Sequence, residues 1–499
     1  MWTFDCIAGH DLGGTHTQPL TRMFNEFIEK GNQMTNAKTA KEEIGLTLAR
    51  HICTTDFSDL TAEAVRSAKY STLDTIGVIL GASGLMKAMP GVVGLVRDSG
   101  GKPESTLIGY GGKVPAVDAA FVNGAMAHGL DFDDSLPEGQ HATSPLIPAL
   151  FAAAQRKGGV SGQEFITALA LGQDLFVRLR KSLTWKQDWL LGPVLGTFAA
   201  AAACAKLLGL QQNQIVDAFG IATCQSAGTM QMAYGTGGDL RGMYAGFAAK
   251  AGLFSALLAE AGVEGTTEPF EGEAGFFEVY FDRQWDRATM LEGLGTHFEG
   301  STIIYKLWPS CANTHGYIDT ALRLMGSPGR TEEIDKVEVF GGDFAKRLTE
   351  PVALRRRPPT ANDAKFSLPY TVALGLVRGT VGVGDFSEER RRDPQVTAMA
   401  DKIEFVDDPQ YNWAGSALPS GAVRITLRNG ETLFAEAPHD QAPGGAKRPL
   451  SWSDLVTKFD DCASHAVKEI SPQSRGQVIE AIENLDQLPD VSVVVEFTG

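Results

Sequence analysis

From Ala62 to Val263 the chain runs through alanine, leucine and glycine at helical spacing, with few stretches that alternate polar and apolar residues. Side chains that small let helix axes approach closely. The expected architecture for this part is therefore a bundle of packed helices, and its many alanines are packing residues without catalytic meaning. Phe198–Leu208 followed by Gly209 reads as a helix with a glycine C-cap, and Asn213–Cys224 as its antiparallel neighbour after a short polar turn. The longest apolar stretches, such as Phe198–Leu210, are alanine-rich and broken by Lys206, so no transmembrane helix is expected.

Beyond about residue 300 strands appear. Lys336–Phe340 and Lys402–Val406 alternate polar with apolar, and Val423–Leu427 meets Thr432–Ala435 across Asn429-Gly430, a strong two-residue hairpin signal. Helices are expected between them at Ala312–Met325 and Ala364–Val377, the second closed by Gly379. After the Pro/Gly-rich passage Ala437–Pro449 the chain returns to helix, with Ser451 capping Trp452–Val467 and Ser471-Pro472 starting the next. The predicted fold class is mainly α with an α+β part. The expected organisation is a flexible N-terminal extension over residues 1–35, a large all-helical domain over 36–300 that starts with Asn36–Ile52, a smaller α+β lid domain over 301–437, and C-terminal helices over 438–499 that return to the helical domain.

Charge and cysteine usage exclude several classes. A net charge of −16 and a pI near 5.1 oppose nucleic-acid binding, which needs basic stripes; the short runs Arg355–Arg357 and Arg390–Arg392 read as solvated loop surface. Cys6, Cys53, Cys204, Cys224, Cys311 and Cys462 form no CxxC pair, which indicates neither a disulfide framework nor a zinc cluster and suits a reducing cytoplasm. The first thirty-odd residues lack the apolar core of a signal peptide, and His10 and His16 within them read as part of a tail, not as metal ligands.

Chemistry concentrates between Gly124 and Pro145, where His128, Asp131, Asp133, Asp134 and His141 end a small-residue apolar segment. Charged groups beside an apolar helix are costly to desolvate unless paired, and the same conditions tune carboxylates and imidazoles for acid and base work. Two histidines and three aspartates also suit a metal, but their spacing matches no familiar ligand signature. His128 reads as a core histidine bonded to a neighbour, and Asp133 and Asp134 as caps of a helix or turn. Gly235-Thr-Gly-Gly238 lacks the Gly-Lys-Ser/Thr ending of a phosphate cradle and reads as a pocket loop.

Asn123-Gly124, Ala127-His128-Gly-Leu-Asp131-Phe-Asp-Asp134 with His141, the Gly196-Thr-Phe-Ala-Ala-Ala run, Gly246-Phe-Ala-Ala-Lys250, Tyr305-Lys306-Leu-Trp-Pro309 and Asp363-Ala-Lys-Phe-Ser-Leu-Pro-Tyr370 together resemble the MmgE/PrpD superfamily, over nearly everything from Ala37 to Leu488. That resemblance implies a helical domain with an α+β lid, a homodimer, no metal or organic cofactor, and dehydration, decarboxylation or epimerisation of a small polycarboxylate. It places Asp131, His141 and Lys306 as catalytic groups and Arg241, Ser135 and Tyr305 against the substrate. Two positions depart from the pattern: Leu190 stands where a pocket histidine is common, and Arg241 where lysine is common.

Leucine transfers no proton, whereas arginine stays charged and grips a carboxylate with two parallel hydrogen bonds, so the pocket becomes more clamp than relay. Removing a proton beside a carboxylate needs cationic groups to neutralise the intermediate and a base within hydrogen-bond reach. Lys306 and Arg241 supply the charge. His141 supplies the shuttle, Asp131 holds its tautomer or takes part directly, and the apolar neighbours of Lys306 favour a semi-buried ammonium. The expected activity is a cofactor-free lyase acting on a di- or tricarboxylate, with an epimerase of an amino- or imino-dicarboxylate and a non-catalytic metabolite-binding protein as the alternatives. No nucleic acid and no membrane are expected as partners. Because Lys306 belongs to the lid and His141 to the helical domain, catalysis is expected in the cleft between them.

Overall fold

A computed structural model of the chain describes residues 42–234, 238–326, 330–413 and 418–498. The predicted N-terminal extension, with Cys6, His10 and His16, lies outside them, as does most of the Gly235–Gly238 loop. The described helices Ala62–Leu85, Ala116–Gly129, Thr143–Lys157, Gly162–Ser182, Leu191–Leu208, Gln212–Ala222 and Leu240–Glu260 form the predicted bundle around one large apolar core. Their starts follow from side-chain caps. Thr61 accepts from the Ala64 N–H, and Ser161 and Glu164 form a reciprocal capping box.

Small residues set how closely these helices cross. A Cβ on Gly246 would lie 2.4 Å from the Phe121 carbonyl oxygen, one on Gly124 would lie 2.8 Å from the Gly246 Cα, and one on Gly252 would lie 2.4 Å from the Ala200 Cβ. The Ala116–Gly129 and Leu240–Glu260 helices thus touch backbone to backbone. That contact sets the C-terminal end of the first beside the N-terminal turns of the second, where Arg241 and Tyr244 lie.

The α+β part has a second apolar core. Its sheet runs Ile403–Asp407, Ile334–Gly341, Gly421–Leu427, Thr432–Ala437, the first pair parallel and the others antiparallel. The hairpin differs from the predicted two-residue turn: Glu431 accepts from the Leu427 N–H at 2.8 Å, and Gly430 takes φ +89, which makes a three-residue loop with glycine in the left-handed position. The predicted helix Ala364–Val377 is two, Ala361–Lys365 and Leu368–Arg378. Ser367 caps the second and Pro369 lacks the N–H needed to continue the first. The Trp452 helix ends at Ala463, short of Val467, and packs on the Ala62–Leu85 helix, where a Cβ on Gly77 would sit 3.2 Å from Phe459. Leu455, Phe459, Ile482 and Val494, near the C-terminal end of the described chain, belong to the large core.

One expectation needs correcting. The helix containing Phe198 begins earlier, at Leu191, and both it and Leu240–Glu260 are long and apolar enough by length and composition to cross a membrane. Their apolar windows are 89% and 72% buried, so this surface is covered by neighbouring helices within the fold.

A two-residue strand pair joins the parts at the charged segment, with Asp134 opposite Tyr305 and Ser135 opposite Ile304. Beneath it Lys458, from the C-terminal helix, pairs with Asp74 at 2.6 Å and donates to the carbonyls of Phe132 and Lys306. Replacing Lys458 by methionine leaves a buried carboxyl group and two carbonyls without their cation. We expect a loss of about 3–5 kcal/mol, read from denaturant unfolding. Gly246→Ala should cost about 1–3 kcal/mol by overpacking despite alanine's better helix propensity; a variant as stable as the parent would contradict the close crossing.

Candidate active site

The Ala116–Gly129 helix delivers His128 in its last turn and stops where the Leu130 N–H folds back on the His128 carbonyl. Lys365, from the Asp363-Ala-Lys-Phe segment, donates to the Gly129 carbonyl at 3.0 Å and caps that end. Asp131 follows with φ +51, a left-handed conformation that aspartate tolerates better than most residues. This tight exit places Asp131, Asp133, Asp134 and His141 close together before the Thr143–Lys157 helix begins.

The three aspartates have separate duties. Asp134 caps the Thr143–Lys157 helix, accepting from the Ala142 and Thr143 N–H groups and the Thr143 hydroxyl, in line with its predicted capping role. Burial and the neighbouring Asp133 anion raise its carboxyl to about 7. Asp133, predicted as a cap, instead faces both imidazoles: His128 Nδ1 lies 2.9 Å and His141 Nδ1 3.4 Å from its Oδ2. Burial opposes its ionisation, but His128 and His141 outweigh that and hold it well below the usual carboxylate range. Asp131 pairs with Lys306 Nζ at 3.0 Å, and the same ammonium donates to the Asp131 carbonyl at 2.9 Å.

Lys306 is buried, as its apolar neighbours suggested, with 3% of its side chain exposed. Burial pulls its ammonium down, but Asp131 and Asp133 outweigh this and keep it above the ordinary lysine value. Burial lowers His141 to about 4, against the pull of Asp133, so the ring is neutral near pH 7. His141 Nδ1 lies 2.6 Å from the Asp134 carbonyl, which can only accept; Nδ1 therefore carries the hydrogen and Nε2 keeps its lone pair.

A cavity of about 150 Å³ lies over this cluster, lined by His128, Asp131, Ser135, His141, Arg241 and Lys306 among others. Five of the six predicted site residues thus come together, with His128 as an addition. Arg241 donates to the Ala233 carbonyl at 2.6 Å and lies 3.3 Å over the Phe366 ring; burial lowers its pKa while Asp131 opposes that shift. The exception is Tyr305, placed against the substrate by the resemblance: its hydroxyl bonds Ser71 at 2.9 Å and the Ser67 carbonyl, outside this cavity, because strand pairing turns it toward the Ala62–Leu85 helix.

Sequence reading also missed Tyr244 and Asn313 in the lining. Tyr244 lies one turn after Arg241, 4.4 Å from the His128 ring, and the bare Cα of Gly192 makes room for it. Its signal was the three-residue spacing from Arg241 on a small-residue helix face. Asn313 had none, because it enters from the N-terminus of the Ala312–Met325 helix in the other part of the fold.

His128, Asp131, Asp133 and His141 offer donor atoms within 4.8 Å of one another, close enough to surround a divalent ion. Lys306 stands where a cation would beside Asp131 Oδ1 and the imidazoles face Asp133, while Asp131 Oδ2 is buried without a hydrogen-bond partner. A fixed ammonium, a guanidinium and a neutral imidazole around one small cavity can bind carboxylates and accept a proton from carbon beside them.

Comparison with known proteins gives the family. Residues 46–288 match the MmgE/PrpD N-terminal domain and residues 308–485 the MmgE/PrpD C-terminal domain. Cis-aconitate decarboxylase of Aspergillus terreus is 28% identical over 415 residues, covering 78% of this chain and 83% of that one. The cis-aconitate decarboxylase of Homo sapiens is 26% identical over 87% of this chain and 90% of its own length. For 2-methylcitrate dehydratase of Escherichia coli K12 the identity is 25%, over 79% and 85% of the two chains. With both domain matches in order and most of its length accounted for, this chain belongs to the MmgE/PrpD family.

Proposed function

We propose that this protein is a lyase, a dehydratase or decarboxylase of a small di- or tricarboxylate, working by proton transfer beside a carboxylate without metal or organic cofactor. The observation that carries this reading is the buried Lys306–Asp131 pair set beside a neutral His141 whose Nε2 is unprotonated. Lys306 and Arg241 hold substrate carboxylates, with Ser135 as a further polar contact. In a dehydration, His141 Nε2 takes the proton from carbon, the carbon–oxygen bond breaks, and the resulting imidazolium gives that proton to the departing hydroxide, which leaves as water. In a decarboxylation, the carbon–carbon bond to a carboxylate breaks, carbon dioxide leaves, and the electron pair passes into the remaining conjugated carboxylate. The Lys306 ammonium, which lines the same cavity, then gives carbon a proton and regains one from water.

His128 and His141 lie side by side, their rings tilted by 60° with centroids 4.5 Å apart, and share Asp133. An epimerase working with two bases needs them on opposite faces of one carbon, so this pairing favours a lyase. The α+β part contributes Cys311, Asn313, Phe344 and Phe366 to the lining, and we read it as a lid, in a homodimer of the cytoplasm. Its ligand is a small carboxylate; neither nucleic acid nor membrane enters this reading.

Incubation with a panel of polycarboxylates, followed by NMR, should reveal one that loses water or carbon dioxide. His141→Ala should lower its turnover by about 10²–10⁴-fold with the fold retained by circular dichroism. Exchange of deuterium into substrate without loss of any group would instead select the epimerase. Unchanged conversion in both His141→Ala and Lys306→Ala would refute the mechanism, and stoichiometric metal with activity lost to a chelator would refute its cofactor independence. Because His141 is lowered to about 4, kcat/KM should stay level as pH falls from 7 to 5 and decline only as the ring protonates below that. An acid limb centred near 6.5 would show an unperturbed imidazole and count against the buried base.

A further inference from the structure

Much of the cavity away from the charged cluster is hydrocarbon: Trp185, Leu190, Met230, Phe344, Phe366 and Trp413. These residues are organised. Trp413 meets Trp185 edge-on at 5.6 Å and Phe344 edge-on at 5.7 Å, which carries an aromatic wall from the helical part into the α+β part. Leu190, Met230, Tyr244 and Ala245 form a small apolar cluster of their own, separate from the two main cores, with Trp185 packed against it. Past Arg241 the space continues into a groove of about 700 Å³, which shares Met230, Ala233, Arg241, Phe344 and Phe366 with the cavity.

A plain tricarboxylate has little surface that suits such a wall. Its oxygens would lose water against leucine, methionine and the aromatic ring carbons, and the unpartnered Trp413 indole N–H is a single donor set among that hydrocarbon. Arg241 stands where the cavity meets the groove, its guanidinium held over Phe366 and bonded to the Ala233 carbonyl. A carboxylate head fits on the cavity side of that residue, and on the groove side Leu348, Pro351 and Val352 offer apolar surface, with Arg347, Glu350 and Arg355 also in the lining.

We propose, resting on the lyase reading above, that the substrate is a small polycarboxylate carrying an alkyl or aryl substituent of several carbons. Its head lies on Lys306 and Arg241, and its tail runs along Leu190, Met230 and Trp413 toward the groove. Leucine at position 190 then has a use that imidazole would not serve: it removes a polar group from the path of the tail.

The test compares cis-aconitate and citrate with homologues bearing methyl, butyl and benzyl groups. For the converted acid, kcat/KM should rise by about 10-fold or more from the unsubstituted to the butyl compound, since each methylene in an apolar pocket discriminates by roughly 10–200-fold at best. Leu190→His and, separately, Trp413→Ala should each lower the butyl-to-unsubstituted ratio by about 10-fold. Calorimetry of the His141→Ala protein with succinate and butylsuccinate gives a readout independent of turnover, with tighter binding and a more negative heat-capacity change expected for the butyl acid. Unsubstituted acids converted and bound as well as their homologues would overturn the tail while leaving the lyase intact. A binding preference for butylsuccinate with no acid converted would support the tail and sink the lyase.

Discussion

An ammonium ion sealed inside a protein persists only beside an anion, and the Lys306–Asp131 pair is the contact on which the arrangement of this molecule turns. Each partner is buried, so each would be costly without the other. Asp131 lies at the exit of a bundle helix; Lys306 lies in the strap that leads into the α+β part. Their contact, with the strand pair of Asp134–Ser135 and Ile304–Tyr305 beside it, fixes one part against the other beside the cavity. The cation expected from the lid is thus tied to the helical part. Lys458 reinforces this from below, donating to the carbonyls of Phe132 and Lys306 while Asp74 neutralises it.

Four consecutive residues, Asp131 to Asp134, show how burial separates the roles of identical side chains. Asp131 answers an ammonium, Asp133 two imidazole rings, and Asp134 the N–H groups of a helix start. Asp134 is shifted upward because its neighbour's charge adds to the cost of desolvation; Asp133 is shifted downward because the histidines outweigh that cost. His141 stays neutral in the midst of this charge, since its burial outweighs the pull of Asp133. Neutrality is what a base requires.

The bundle supplies placement. Glycine at 124 and 246 lets two helix backbones touch, and that approach sets Tyr244 against His128. A bulkier pair would hold that side chain farther from the cluster. The apolar wall of Trp185, Leu190 and Trp413 depends likewise on segments remote in the chain meeting at one cavity.

Much of this was legible in the residues. Small-residue periodicity carries the bundle, because helix packing follows spacing along one face; alternation after residue 300 carries the strands for the same reason. The charged segment announced itself because five ionisable groups at the end of an apolar helix must be paired or functional. Other features required the fold. His128 and Asp133 read as a core residue and a cap because nothing in the order of residues shows which nitrogen meets which oxygen. The resemblance placed Tyr305 against the substrate, yet strand geometry sends successive side chains to opposite faces and turned it toward Ser71. Asn313 and Trp413 carried no signal at all. By itself the sequence determined the two textures, the caps and the stock of acids, bases and cations, because these depend on local spacing and residue chemistry. Only the tertiary structure decided which charges pair, which imidazole faces the cavity and how apolar that cavity is, because contact between distant segments and exclusion of water are properties of the packed chain.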